Sequence, residues 1–311
     1  MSGTGARRVV LDCDPGHDDA MAILLAAASP ALELVAITTV AGNQTLEKVT
    51  LNARRVCSVA GITSVPIAAG CDRPLSRPQV VAGDIHGASG LDGVDWDDPT
   101  VELDPRNGVD VIIEAAETGP LTLIAVGPLT NVATALERAP HIASNLERIS
   151  IMGGAIGLGN RTPSAEFNIY VDPEAAAAVF AAGVPITLVP LEVTHLALAT
   201  DEVLARIERL GTPVAAMSVA LMRFFAETYE RVFGFDAPAV HDPVAVAAVI
   251  QPSLVETRHV NVAIDTSSGI SAGRTACDIH GVLGAAPNAD VALRLDAPAF
   301  WDLMIEALAT Y

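Results

Sequence analysis

Short apolar runs alternate with longer amphipathic stretches along most of the chain. Residues 8–11, 32–40, 66–69, 121–126, 146–152 and 186–189 are largely apolar or β-branched. Such runs predict strands, and the almost uniformly apolar first one predicts burial on both faces, as in a parallel sheet. The stretches 18–28, 45–60, 109–117 and 172–182 predict helices, as does one from Thr130 or Asn131 to Arg138. Breakers bound them: Ser29-Pro30 stops the first, while Thr45 opens the second and Gly61 ends it. Farther on, helices are predicted over 201–210, 213–232, 244–250 and 296–310, with two or three strands inside 256–294. The span 70–107 is rich in Pro, Gly and Asp. A structureless loop of that length is uncommon in a compact domain and is often a lid.

This alternation predicts an α/β protein, a Rossmann-like open, mostly parallel sheet flanked by helices and joined by right-handed crossovers. Ligands of such sheets bind beyond the carboxyl ends of the strands. Asp14, Asn43, Thr130 and Met152 each lie at or just after a predicted strand end, so they point to one rim. No internal repeat, linker or low-complexity tract divides the chain, and a single domain over 1–311 is expected.

Composition narrows the function. A net charge of −19 argues against a nucleic-acid partner, which needs clustered Lys and Arg. The only lysine is Lys48, so any lysine-dependent chemistry has to use it. No apolar run reaches membrane-spanning length, and the opening MSGTGARR lacks the apolar segment of a signal peptide. The expectation is a soluble, cytoplasmic protein with no membrane partner. Cys13, Cys57, Cys71 and Cys277 show no CxxC spacing and read as reduced thiols.

The chemistry is concentrated in VVLDCDPGHDDA, residues 9–20. Asp12, Asp14, Asp18 and Asp19 fall around a Pro15-Gly16 turn. Like charges this close raise each other's pKa unless a cation neutralises them. An all-oxygen set suits Ca²⁺ or Mg²⁺ rather than zinc. Asp19 alone could be a helix N-terminal charge and Asp12 a turn cap, but no capping scheme uses four acids. Asp14 and Asp19 can converge on a cation if the turn folds back. Asp242, in Val240-His241-Asp242-Pro243, is the best distant third acid, and the Thr130 carbonyl a further ligand. A carboxylate beside a metal-held water is a base in place, and His241 could serve as acid toward a leaving group.

Asn160, Glu166 and Asn168 share one irregular polar segment that suits a polyhydroxylated ligand, with self-bonding of the loop as the competing reading. His86 either faces the ligand from the lid or is a solvated loop histidine. Phe167, Phe224, Phe225, Tyr229 and Phe233 could stack on a planar base, although aromatics at helical spacing are more often core.

Together VVLDCDPGHDDA, ITTVAGNQT, IHGASGLDG, GPLTNVA, IMGGA, AEFNIYVDPEAA and VHDPVAVA resemble the inosine–uridine nucleoside hydrolase family, in order and over nearly the whole chain. The resemblance implies the nucleoside hydrolase fold, a tightly bound Ca²⁺ and hydrolysis of the N-glycosidic bond of ribonucleosides. It makes Asp14 the general base and a calcium ligand, with Asp19, Asp242 and the Thr130 carbonyl as further ligands. It places Asp18 and Asn43 near the ribose hydroxyls, Asn160, Glu166 and Asn168 in a ribose clamp, and Met152 against the sugar. His241 becomes the proton donor, while His86, Phe167 and Tyr229 belong to the ligand's surroundings. His17 fills a variable position and is expected to point away from the metal with no role. A homodimer or homotetramer is expected on the resemblance alone.

Two rival classes stay in view. A Mg²⁺-dependent phosphohydrolase with an aspartate nucleophile also starts with DxD after a strand, but it needs a phosphate-steadying lysine. Lys48 sits elsewhere, and the acidic rim repels phosphate. A non-catalytic nucleoside or calcium binder would keep the acids without needing His241.

Overall fold

The computed structural model describes residues 5–311. The chain starts with strand β1 (Arg7–Cys13), helix α1 (His17–Ala28), β2 (Leu32–Thr39), α2 (Leu46–Ala60) and β3 (Ile67–Ala69). Inside the long span lies one short helix, α3 (Gly83–His86). Then come α4 (Gly108–Glu117), β4 (Leu121–Ala125), α5 (Thr130–Arg138) and β5 (Leu146–Met152). The pattern continues with α6 (Phe167–Val171), α7 (Pro173–Ala181), β6 (Ile186–Val189) and α8 (Leu191–Thr194). Three helices follow, α9 (Asp201–Glu208), α10 (Pro213–Phe233) and α11 (Asp242–Ile250). The chain closes with β7 (Val255–Val260), β8 (Val262–Ile264), β9 (Thr275–Cys277), β10 (Ala289–Leu295) and α12 (Ala297–Leu308).

Eight strands form one sheet in the order β3-β2-β1-β4-β5-β6-β10-β7. All neighbours run parallel except β7, which is antiparallel on the edge against β10. Order reverses between β1 and β4, and α1 and α5 leave the sheet beside that point. Such a switch point opens a crevice at the strand ends.

The sheet separates two cores. Along β1, Val9, Leu11 and Cys13 enter one core and Val10 the other, the two-residue alternation of a strand covered on both faces. The first core takes in α1, α2, α10, α11 and α12, and the second α4, α5 and α7. Helix α11 is buried on nearly all sides, which is why its sequence is apolar throughout after Asp242.

Three expectations need correction. Region 256–294 yields pieces of four strands rather than two or three, because β8 and β9 form a separate two-stranded hairpin. The span 70–107 is not wholly structureless, since α3 interrupts it. The first strand runs to Cys13, past the charged Asp12, whose carboxylate is taken up inside the protein. Asp12 is therefore no turn cap: its Oδ1 accepts the Thr38 hydroxyl at 2.6 Å and the Asn131 Nδ2 at 2.7 Å. Among the described residues no helix is long and apolar enough to cross a membrane.

Candidate active site

The Pro15-Gly16 turn folds the chain back between β1 and α1, so acids at the end of one element meet acids at the start of the next. The Asp19 carboxylate accepts the N–H groups of Asp14 at 3.0 Å and Gly16 at 2.9 Å. That closes the turn and places Asp19 at the positive end of α1. Asp14 Oδ2 accepts the Asn43 backbone N–H at 2.6 Å. Asn43 in turn donates its side-chain amide to Asp19 Oδ2 and to the Asp14 carbonyl, both at 3.1 Å. Gly42 is required here, because a Cβ on it would overlap the Asp14 carboxylate.

Asp242 arrives from the other end of the chain at the first turn of α11. Asp18, Asp19 and Asp242 each offer a carboxylate oxygen within 4.8 Å of the others, and all three are buried. Asp14 stands beside this trio and repels Asp19 and Asp242. Burial, reinforced by that repulsion, holds Asp14 and Asp242 well above the usual carboxylate range. Burial, then Asp19, pushes Asp18 up to about 8. Asp14 Oδ1 is buried with no hydrogen-bond partner at all. An orphaned oxygen beside three crowded carboxylates fits a hard cation, which would reverse each of these shifts.

Two of the trio, Asp18 and Asp242, open into a cavity of about 680 Å³ counting its mouth, lined also by Asn43, His86, Met152, Asn160, Glu166, Phe167, Asn168, Tyr229 and His241 among others. Each of the nine residues expected to touch a ligand lines it. The polar segment also bonds to itself. Glu166 caps α6 by accepting the N–H groups of Asn168 and Ile169, and it accepts that of Gly154. Burial still pushes Glu166 up to about 7. Asn160 Oδ1 accepts the Phe167 N–H at 2.9 Å. Asn168 Nδ2 donates to the Val126 carbonyl at 2.7 Å and the Met152 carbonyl at 3.2 Å. These bonds hold the segment rigid at the rim.

His241 is buried just before α11. Its Nδ1 lies 2.6 Å from the Thr194 hydroxyl, and its Nε2 pairs with the Tyr229 hydroxyl. Burial, with His195 nearby, lowers the ring to about 3, so it is neutral near pH 7. Phe225, Tyr229 and Phe233 line the cavity from α10, whereas Phe224 stacks on His17. The segment is an unbroken helix to Phe233, stopped by Gly234 in the left-handed region.

Thr130 is placed elsewhere. Its hydroxyl donates to Asp172 at 2.7 Å, its carbonyl accepts the Thr134 hydroxyl, and it lines a separate hollow with Cys71 and Arg138. As the first residue of α5 its carbonyl is aimed along the helix. The residue at the end of β4 that does line the acidic cavity is Val126. A backbone carbonyl has no side-chain signature, and only the strand's end before Gly127 could have indicated it. His17, expected to point away from the metal, bonds to no carboxylate and is buried against His86 and two phenylalanines. Thr194 gave no sequence signal, since it lies in a short helix after β6, 47 residues from its partner.

Fold and site together define an α/β enzyme whose cleft is walled by buried carboxylates and amides. The chain belongs to the inosine-uridine preferring nucleoside hydrolase family, whose model matches residues 9–302, and is an N-glycosyl hydrolase. It is 43% identical over 307 residues to the pyrimidine-specific ribonucleoside hydrolase RihB of Shigella sonnei, covering 98% of both chains. The RihB of Escherichia coli K12 matches at the same identity and coverage. Among solved structures, the purine-preferring ribonucleoside hydrolase from Gardnerella vaginalis superposes with a TM-score of 0.91 at 31% identity, covering 98% of each chain. A plant nucleoside hydrolase, PpNRh1, gives 0.91 at 32% identity, covering 98% of this chain and 99% of its own.

Proposed function

We propose that the chain hydrolyses the N-glycosidic bond of ribonucleosides, inosine and uridine among them, to ribose and free base, with Ca²⁺ held by its buried carboxylates. The observation that carries this is the convergence of Asp18, Asp19 and Asp242, with the orphaned Asp14 Oδ1 beside them, next to a cavity lined with carboxylate and amide side chains. Asp14, Asp19 and Asp242 would hold the cation. The Val126 carbonyl would supply the backbone ligand, in place of the Thr130 carbonyl expected from the sequence. The chemistry a bound Ca²⁺ supplies is fixation of a sugar diol and acidification of a water.

The remaining steps belong to the protein. Asp14 takes the proton of the attacking water through Oδ1, the oxygen its bond to Asn43 leaves free. Asp18, Asn43, Asn160, Glu166 and Asn168 bind and orient the ribose, and Met152 packs beside it. Cleavage passes through an oxocarbenium-like state, and the buried carboxylates favour its developing positive charge. The departing base takes its proton from the hydrogen-bonded His241–Tyr229 pair. With the ring neutral, the proton given up is the one shared between His241 Nε2 and the Tyr229 hydroxyl, and the pair recovers it from solvent. His86, Phe167 and Tyr229 enclose the ligand.

A second reading, pyrimidine specificity, is favoured by one observation: the relatives at 43% identity carry that description. Rates on inosine, uridine, cytidine and adenosine separate the two. The test of the main reading is release of reducing sugar from inosine and uridine with and without a chelator. Release that the chelator abolishes supports it. Phosphate release from a generic ester would favour the phosphohydrolase, and binding without turnover a non-catalytic binder.

A further inference from the structure

His17 sits inside the acidic run yet bonds to no carboxylate. Its ring lies nearly parallel to those of Phe224 and Phe225, with centroids 5.2 Å and 5.1 Å away. Its Nε2 is 2.8 Å from the backbone carbonyl of Asp92. A carbonyl only accepts, so Nε2 carries the hydrogen. In a neutral ring Nδ1 is then a bare acceptor. That Nδ1 is 3.0 Å from Nδ1 of His86. For the contact to be attractive, His86 has to be protonated at Nδ1. The His17 backbone N–H also approaches His86 Nδ1, at 3.4 Å, and would need the opposite polarity. That alternative sets two lone pairs facing each other at 3.0 Å, or else turns a lone pair of His17 on the Asp92 carbonyl. Losing the longer bond leaves only a first-turn helix N–H unpaired, as helix starts commonly do. Gly16 makes the approach possible, because a Cβ there would lie 2.6 Å from His86 Nδ1.

We propose that His17 is a positioning residue that fixes His86 as the Nδ1–H tautomer, so that His86 presents Nε2 to the cavity as a hydrogen-bond acceptor. His86 lines the cavity, and no protein group bonds its Nε2 among the described residues. The ligand group selected at that point is a donor, a hydroxyl or a ring N–H, rather than a carbonyl. This rests on the reading that His86 faces the nucleoside.

The test uses the full chain labelled with ¹⁵N-histidine at pH 8. Signals are assigned with His17→Phe and His86→Gln, and the tautomer is read from two-bond ¹H–¹⁵N correlations. His86 is expected to carry its proton on Nδ1, and to lose that fixed form in His17→Phe, whose ring can stack but not accept. In parallel, KM is measured for uridine, 5′-deoxyuridine and 3-methyluridine. His17→Phe should raise KM by about tenfold, the worth of one hydrogen bond, for the substrates that keep the donor, and little for the one that lacks it. Finding His86 protonated at Nε2 in the wild-type protein overturns the proposal. An unchanged KM for uridine in His86→Gln overturns instead the reading that His86 faces the ligand, whatever the tautomer.

Discussion

Asp14 Oδ2 accepts the backbone N–H of Asn43 across 29 residues at 2.6 Å, which leaves Oδ1 buried with no partner. One oxygen anchors the carboxylate, and in the proposed function the other serves the ligand chemistry. Asp14→Ala is therefore expected to lower kcat by at least ~10²–10⁴-fold, the usual worth of a general base. The same change removes repulsion on Asp19 and Asp242 but leaves the buried Asn43 N–H unpaired, so the chelated variant should melt close to the chelated parent. Sugar release and thermal melting check the two halves. Unimpaired turnover would remove Asp14 from its role.

The anchor depends on Gly42, whose missing side chain admits the Asp14 carboxylate. Gly42→Ala should destabilise by about 1–3 kcal/mol, as forced overpacking does, and reduce turnover with it. Urea unfolding and steady-state rates measure both. A variant of parental stability and rate would contradict the geometry.

Crowded acids also set the pH dependence. Asp18 titrates near 8 when folded, Asp12 and Glu166 near 7, all raised by burial. Between pH 6.5 and 8 the folded chain thus holds more protons than the unfolded chain, so stability falls as pH rises. Each such group contributes up to about 1.4 kcal/mol per pH unit. The lower window is mixed: His17 and His241, lowered to about 4 and 3, bind protons only when unfolded below about 6.5, so their contribution rises with pH there. Melting of chelated protein should drop from pH 6.5 to 8. Calcium should flatten that drop in part, leaving the shares of Asp12 and Glu166. A melting temperature that climbs over this range without metal would contradict it.

His241 and Tyr229 are tied by one hydrogen bond, so either change should act on the leaving base. His241→Ala is expected to slow inosine by ~10²–10⁴-fold. A riboside with a nitrophenolate leaving group needs no protonation and should be affected far less. Equal losses on both substrates would remove the acid role.

Much of the frame was legible because buried strands announce themselves. β5 and β6 coincide with the runs 146–152 and 186–189, since Ile149, Ile151, Ile186 and Leu188 keep an apolar residue at every second position facing one core. The acids were legible because four carboxylates around one turn have no bland explanation. What the chain order hides is pairing over distance. His17 finds His86 69 residues away, and neither residue's neighbours hint at the other. Val126 lines the cavity with a backbone that carries no side-chain signature, whereas the polar Thr130 stands out in the sequence although its carbonyl accepts the Thr134 hydroxyl within its own helix.

The central claim is that carboxylates from both ends of the chain share one hard cation. Calorimetric titration of chelated protein with calcium tests it most directly, run on the parent and on Asp242→Ala. One calcium per chain in the parent, and binding lost or weakened at least tenfold in the variant, is the predicted result. No calcium uptake by the parent, or undiminished uptake by Asp242→Ala, would contradict it.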